Sequence, residues 1–580
     1  AVEAAGEDWP THGGAYSNQR YSTLSQIDRE NVSRLVPAWV HQTGVPAAFE
    51  TTPLVVGNTM YLTTPESRVL ALNAATGHKL WEFVPEIEEA VICCGPANRG
   101  VAAYGERVFV GTLDARLIAL DHRSGEVEWE ATVADAEDGY SITMAPLAYD
   151  GKVLVGVSGG EYGIRGFVAA YDVEEGTEVW RFHTVPAPSE APHGWWGEWS
   201  EVTPFGTPLR RDVIAEQERL DDDRERDDWE RGGGGVWMTP AYSAALDRVY
   251  ISVGNPSPDF AGARRPGDNL YTGSIVALDA GTGELQWYFQ YLPHDRWNLS
   301  GGGSPVLFER DGRRLLAHAG KTGWLYVVDA GSGEPVLRSQ NFVPQENLFA
   351  PPSEEGTPMA PGALGGNASP IAFSPELGLA FVAAMHQPTL YVRGYTPYQQ
   401  GRPWLGGTAS RIPDADAWGV LSAIDVSTGE IRWQRRTEQP LLGAPLATAG
   451  RVVFAGEGTG SFDAFDAETG RLLWRFPAGA GVHGGPVTYM VDGVQYVVVA
   501  AGGHELLETT PGDDIIAFAL PERRAAAGYM PADYPTASYT RHDPLIHGAV
   551  RQVPARQLRS PANADRDDPD AVGRPPSDDP

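Results

Sequence analysis

An all-β fold, an eight-bladed β-propeller with tryptophan-docking repeats, is what this 580-residue sequence predicts. Three observations predict it: a motif that recurs along the chain, an abundance of Gly, Pro and Trp (68, 46 and 17 residues), and two chain ends that read as partner strands. A chain of this length is several domains or one repeat architecture, and Gly with Pro suits short strands joined by tight turns.

The motif is an apolar-Asp (or Asn) strand end, a turn with Thr/Ser-Gly, and a strand ending in Trp. It reads ALNAATGHKLW at Ala71–Trp81, ALDHRSGEVEW at Ala119–Trp129, AYDVEEGTEVW at Ala170–Trp180 and ALDAGTGELQW at Ala277–Trp287. It returns as AIDVSTGEIRW at Ala423–Trp433 and AFDAETGRLLW at Ala464–Trp474, and VVDAGSGEPVL around Asp329 is a copy without the Trp. The Asp caps a hairpin turn, the Gly supplies its positive φ, and the Trp packs between neighbouring sheets. These are seven units. The eighth is expected where DDIIAFALP, around Phe518, pairs with LVPAWV at Leu35–Val40, which closes the ring and removes an open edge.

Residues 1–521 are therefore expected to form the propeller. Between Pro186 and Gly235 lies an insertion near the active-site face, with Trp195, Trp196 and Trp199 and the charged run AEQERLDDDRERDDWER, which reads as a solvated helix. Its aromatic cluster is either a substrate lid or the packing of that helix. Residues 522–580, rich in Ala, Pro, Asp and Arg, are expected to wrap the surface and then become disordered.

The net charge of -32 makes nucleic acid a poor partner and an anionic membrane a repelling one, and no stretch is apolar for long enough to span a bilayer. This charge either keeps a large protein soluble or docks a basic electron-acceptor protein. A chain that starts at Ala1 fits a cleaved export product, so a periplasmic or secreted protein is expected. The two cysteines, Cys93 and Cys94, are neighbours, which random placement would give on the order of a few times in a thousand. They read as a vicinal disulfide, rigid and flat enough for a platform, or as two reduced thiols in a buried turn. The sequence contains no C-x-x-C-H, hence no covalent c-type haem site.

Around the pair, CCGPANRG at Cys93–Gly100 resembles the hallmark of the pyrroloquinoline quinone (PQQ)-dependent alcohol dehydrogenases. ETTPLVV from Glu50, GTLDARLIALD from Gly111, EYGIRGFVAAYD from Glu161, GGGGVW ending at Trp237 and GNPSP from Gly254 are similar to that family in the same order. The resemblance runs from about Trp9 to Pro521 and is to the soluble, haem-free class, although AAGGHELLETTPGDDIIAFALP at the end resembles its sugar and polyol branch. It implies that Cys93-Cys94 stack on one face of PQQ and Trp237 on the other. It further implies that Glu50, Arg99, Thr143, Ser158, Gly159 and Gly160 contact the cofactor's carboxylates and ring edge. Lys321, in GKTGWLYVVD, would donate to the quinone oxygens, with Asn367, in GGNASP, on the same side. Glu161 and Asn255 match the family's metal ligands, oxygen donors that suit Ca²⁺.

The sequence departs from the family where the catalytic Asp of H-D-x-W-D is expected, since it reads HDRWNLSG with Asn298 at that position. A neutral amide cannot take the alcohol's proton, although its oxygen can ligate the metal. Either another group (Asp295, His294 or a metal-bound water) is the base, or the protein is slow or inactive, or the change was introduced. Ser300 is not acidic, unlike the position in lanthanide-using relatives, which favours calcium. Gly235 and Ala368 replace larger family residues, which either enlarges the site for a bulkier alcohol or accommodates a shifted loop. Of the scattered histidines (His193, His483, His504), His504 is the outsider nearest a substrate pocket. The expected activity is oxidation of a primary alcohol or, in preference, a bulky secondary one (a polyol, sugar or terpenoid type), with electrons passing to an external cytochrome c or other acceptor. The competing readings are a non-catalytic propeller scaffold and a PQQ-binding pseudoenzyme.

Overall fold

The repeat folds as a hairpin because one carboxylate satisfies its turn. In the computed structural model, which describes residues 4–87, 90–190, 194–222, 227–363 and 365–529, Asp279 Oδ1 accepts from the N–H groups of Gly281 (3.0 Å) and Thr282 (2.9 Å) and from the Thr282 hydroxyl (3.0 Å). Gly283 closes the turn at φ +73°, and a Cβ there would lie 2.4 Å from Trp180 of the preceding sheet. Trp180 Nε1 in turn donates to Ala280 O at 3.4 Å. The same docking bond joins Trp39 to Ala74, Trp81 to His122, Trp129 to Val173, Trp287 to Ala330 and Trp433 to Ala467, at 3.0–3.2 Å. Where the repeat lacks its Trp, Leu337 packs against Gly429 instead. Each indole thus buries its rings between sheets while its N–H finds a carbonyl.

Among the described residues, eight sheets have four antiparallel strands of this kind. Seven span residues 54–83, 102–132, 147–183, 241–290, 306–338, 372–437 and 446–477. The eighth combines Val487–Val491, Val494–Ala501 and Asp514–Ala519 with Val36–Gln42 from the other end of the chain, in the register Val40 to Ile516. A further three-stranded sheet (Thr357–Met359, Thr389–Arg393 and Gly407–Arg411) is formed by excursions around the sixth. The buried apolar clusters lie between successive sheets. Leu54 and Trp81 meet Val108 and Leu120, and one cluster joins Leu62, Leu446 and Val498 from the first, seventh and eighth sheets.

In such an antiparallel order, the connection entering the first strand and the loop between the second and third strands emerge at the same end of a sheet. The Asp-Gly turns lie at the other. Glu50, Cys93, Thr143, Trp237 and Asn298 are on entering connections, whereas Ser158, Glu161, Asn255, Lys321 and His504 are on the second-to-third loops. The topology alone therefore gathers them at one end.

The insertion expected at 186–235 leaves from this end too, between the third and fourth sheets, and contains helix α1 (Val213–Asp222). That helix is not simply solvated. Its Glu216 is buried, and Arg211 bridges it at 2.5 Å to Asp268, also at 2.5 Å. Trp195 is fully buried, and the Trp195 and Trp196 carbonyls accept the N–H groups of Leu270 and Asp268, which is the packing role rather than the lid. The N-terminal segment holds the sheets together in a way the sequence did not announce. Residues 7–21 hydrogen-bond or pair with the first strands of seven sheets, at Val55, Ala148, Tyr242, Leu307, Phe373, Ala447 and Met490. After the eighth sheet comes a short helix α2 (Pro521–Ala526), and the extension expected beyond residue 529 lies outside the described residues, as does His193.

Candidate active site

About 1170 Å³ of empty space opens where these loops converge, above the roughly 300–1,000 Å³ of ligand pockets because the open mouth is included. Cys93 and Cys94, with Cα atoms 3.8 Å apart, are joined as a disulfide on its wall, so the reduced-thiol alternative is not the observed form. Trp237 also lines the cavity. Its ring is backed by glycine, for a Cβ on Gly301 (φ +76°) would meet Cζ2 at 2.8 Å and one on Gly254 would meet Nε1 at 3.2 Å. The absence of side chains there lets the indole lie flat against the backbone.

A chain of donors runs along the same cavity. Arg99 pairs with Glu50 at 2.7 Å and donates to Thr143 Oγ1 at 3.0 Å, and the Thr143 and Ser158 hydroxyls are 2.8 Å apart. The Arg99 guanidinium also stands 5.3 Å over the Trp237 ring. His504, the outsider of the sequence, hydrogen-bonds Glu50 Oε1 at 2.9 Å and lines the cavity. Burial alone would raise the Glu50 carboxyl, but Arg99 and His504 hold it down to about 2. Cationic and hydroxyl donors beside two flat walls fit a planar polycarboxylate such as PQQ. Gly159 and Gly160 complete this side of the lining.

Glu161, Asn255, Asn298 and Lys321 form a second corner. The excursion at 394–406 covers it: the Trp404 N–H donates to Glu161 O at 2.7 Å, and the Trp404 ring packs over Gly163. Asn298 is in the left-handed region (φ +56°), its Oδ1 accepting from Lys321 Nζ at 2.9 Å and its Nδ2 donating to Asp259 Oδ2 at 2.7 Å. The amide orientation follows from chemistry, since an ammonium only donates and a carboxylate only accepts. Burial lowers the Lys321 ammonium, while Glu161, Asp295 and Asp259 oppose that shift. Asn255 Nδ2 is buried without a hydrogen-bond partner among the described residues. Oxygen donors of this kind, carboxylate with amide, suit a hard cation such as Ca²⁺.

Three sequence candidates do not stand in the cavity lining. Asp295 is fully buried, and its carboxylate takes the N–H groups of Trp297, Leu299 and Ser300 (2.7–2.8 Å) and the Ser300 hydroxyl (2.6 Å). It organises the loop bearing Asn298 and is not placed to take a substrate proton. His294 is likewise buried, with Nδ1 against Gly267 O at 2.8 Å, and burial holds it well below its usual range. Asn367 is buried and spends its amide on Ala383 O (2.7 Å), while its neighbour Ala368 lines the cavity. Gly235 lines it as well, but a Cβ there would be 2.8 Å from Val157 O, so the glycine serves a close backbone approach. The residue that sequence reasoning missed is Asp259, directly after the GNPSP match, where no spacing distinguished it from a surface acid.

The description "Glucose/ethanol/alcohol dehydrogenase, beta-propeller domain" belongs to the family profile that matches residues 9–208, 211–347 and 339–497. Quinohemoprotein alcohol dehydrogenase ADH IIB of Pseudomonas putida is 34% identical over 544 residues, covering 89% of this chain and 76% of that protein. Quinoprotein alcohol dehydrogenase PedH of the same species is 34% identical over 522 residues, 85% of each. The crystal structure of quinohemoprotein alcohol dehydrogenase from Comamonas testosteroni superposes with a TM-score of 0.79 at 32% identity, covering 89% of this chain and 80% of that one. With so much of its length matched by the family profile and by these relatives, this chain belongs to the PQQ-dependent alcohol dehydrogenase family.

Proposed function

We propose that the protein is an exported quinoprotein that oxidises a bulky secondary alcohol, using PQQ with Ca²⁺ and passing electrons to an external cytochrome c or similar acceptor. The observation that carries this reading is the single cavity walled by Cys93-Cys94 and Trp237 and edged by Arg99, Thr143 and Ser158. PQQ supplies a quinone that accepts hydride from the alcohol carbon, and a bound cation would polarise it as a Lewis acid. Arg99, Thr143 and Ser158 hold the carboxylate edge, Lys321 places a cation beside Asn298, and Glu161 with Asn255 would hold the metal. Ile92, Met385, Leu442 and Leu506 line the rest of the cavity. This apolar lining favours the terpenoid end of the substrate range over small alcohols. The charge of -32 supports a basic acceptor.

In the same reading the eight sheets, seven of four strands and one with Tyr21–Ser22 added as a fifth, are the blades of one ring spanning residues 1–521, closed by Val36–Gln42 on Asp514–Ala519. The scaffold alternative leaves the donor chain without a purpose. The test is reconstitution of the protein with PQQ and Ca²⁺, followed by dye reduction across an alcohol panel. Stoichiometric PQQ binding and turnover, best on bulky secondary alcohols, is expected. No PQQ binding overturns the proposal, and tight binding without turnover on any alcohol replaces it with the pseudoenzyme.

A further inference from the structure

Asp259 and Asp295 are both fully buried near Asn298, yet they are treated oppositely. Asp295 has the four donors described above, whereas the Asp259 carboxylate has one, Asn298 Nδ2 at 2.7 Å. Its other oxygen, Oδ1, is buried with no hydrogen-bond partner among the described residues. The adjacent Arg265 does not supply one. Its donors go to Pro258 O, Asn269 Oδ1, Asp259 O and Asp295 O, at 2.5–2.9 Å. Leaving a carboxylate buried and so poorly paired is costly, which indicates a missing positive partner. Asn298, which holds Asp259, lines the same corner of the cavity as Glu161. The second sign is Asn255, which is 6% exposed and lines the cavity there; its buried Nδ2 has no acceptor among the described residues, so no hydrogen bond from it fixes the amide, and its oxygen is free to turn to a cation.

We propose that Asp259 is a ligand of the divalent cation, supplying, with Glu161, the second carboxylate charge that Asn298 cannot. The inference rests on the metal-dependent reading of the site given above. Two carboxylates with two amide side chains give a dipositive site its balancing charge, and Asn298 then bridges Asp259 to Lys321 instead of carrying the charge itself.

The experiment is calorimetric titration of Ca²⁺ into the full-length protein, with PQQ present and absent, together with melting in EDTA and in Ca²⁺. Wild type is compared with Asp259→Asn, Glu161→Gln and the exchange Asp259→Asn/Asn298→Asp. Asp259→Asn is expected to weaken Ca²⁺ binding on the order of 10–100-fold. In EDTA it should melt no lower than wild type, because an uncompensated buried charge is gone, and its Ca²⁺-induced rise in Tm should shrink. The exchange, which keeps one amide and one carboxylate in contact, should regain most of the affinity even if the single variant folds poorly. Unchanged Ca²⁺ affinity in Asp259→Asn beside a large loss in Glu161→Gln overturns the role of Asp259 and leaves the metal site standing. A wild type that takes up neither PQQ nor Ca²⁺ overturns both. An Asp259→Asn protein that melts lower in EDTA with normal Ca²⁺ affinity makes Asp259 a support for Asn298 and overturns the proposal as well.

Discussion

Glu50 is held from both sides, by Arg99 at 2.7 Å and by His504 at 2.9 Å. Its carboxyl drops to about 2 from an ordinary 4.5, so its ionised form stabilises the folded state at all pH values above the ordinary one. That contribution is lost as the pH falls from about 4.5 towards 2. Glu50→Gln leaves the Arg99 charge without its counter-ion, at a cost of about 3–5 kcal/mol near neutral pH. The difference in Tm between wild type and variant should narrow as the pH is lowered through this window, as followed by circular dichroism. A difference that stays constant down to the lowest pH would show that the ion pair is not its source. Glu50 was legible in the sequence only through its motif, and its partner His504 only as an outsider, because the contact spans 454 residues and no local spacing encodes it.

At the scale of the element, the docked Trp and the turn Gly are a single device. The glycine is needed twice, for its positive φ and because the preceding sheet's indole occupies the place of a Cβ. Gly283→Ala should therefore destabilise by about 1–3 kcal/mol through overpacking and strain, measured by urea unfolding. The same substitution at Gly57, whose added Cβ meets nothing within 4 Å, isolates the strain of positive φ (+58°) from the clash. Equal losses at the two positions would remove the docking explanation. The hairpins were readable because their chemistry is local: Asp at the cap, Gly four residues later, Trp four residues after that. The cover over Glu161 was not readable. It comes from the 394–406 excursion, whereas Trp195 of the conspicuous insertion packs internally.

At the scale of the molecule, segments far apart in the chain pair with one another. Val36–Gln42 completes the eighth sheet, and the residues before it hydrogen-bond across the first strands of most of the others. Arg20, fully buried, donates to the carbonyls of His12, Pro445 and Pro486 at 2.6–3.0 Å. Deleting residues 1–42 removes the closing strand together with this hub. The expected result is loss of a cooperative thermal transition and poor soluble yield, because the eighth sheet is left with an open edge. A truncated protein that still melts cooperatively near the wild-type temperature would show that neither contact holds the fold together.

The sequence by itself determined the repeat, the turn chemistry, the pairing of the two ends and, through motif resemblance, most of the polar residues of the cavity. Each of these is written in short-range patterns or in motifs a few residues long. Tertiary structure alone decided which acid is satisfied and which is not. Asp295 looked like the replacement base and proved to be the best-bonded carboxylate of its loop, while Asp259, unremarked in the sequence, is buried with a single donor. The reason is physical: a carboxylate's role depends on how many donors reach it after burial, and Asp295 finds its four within its own loop whereas Asp259 is met by Asn298 alone, brought to it from another loop by the tertiary structure.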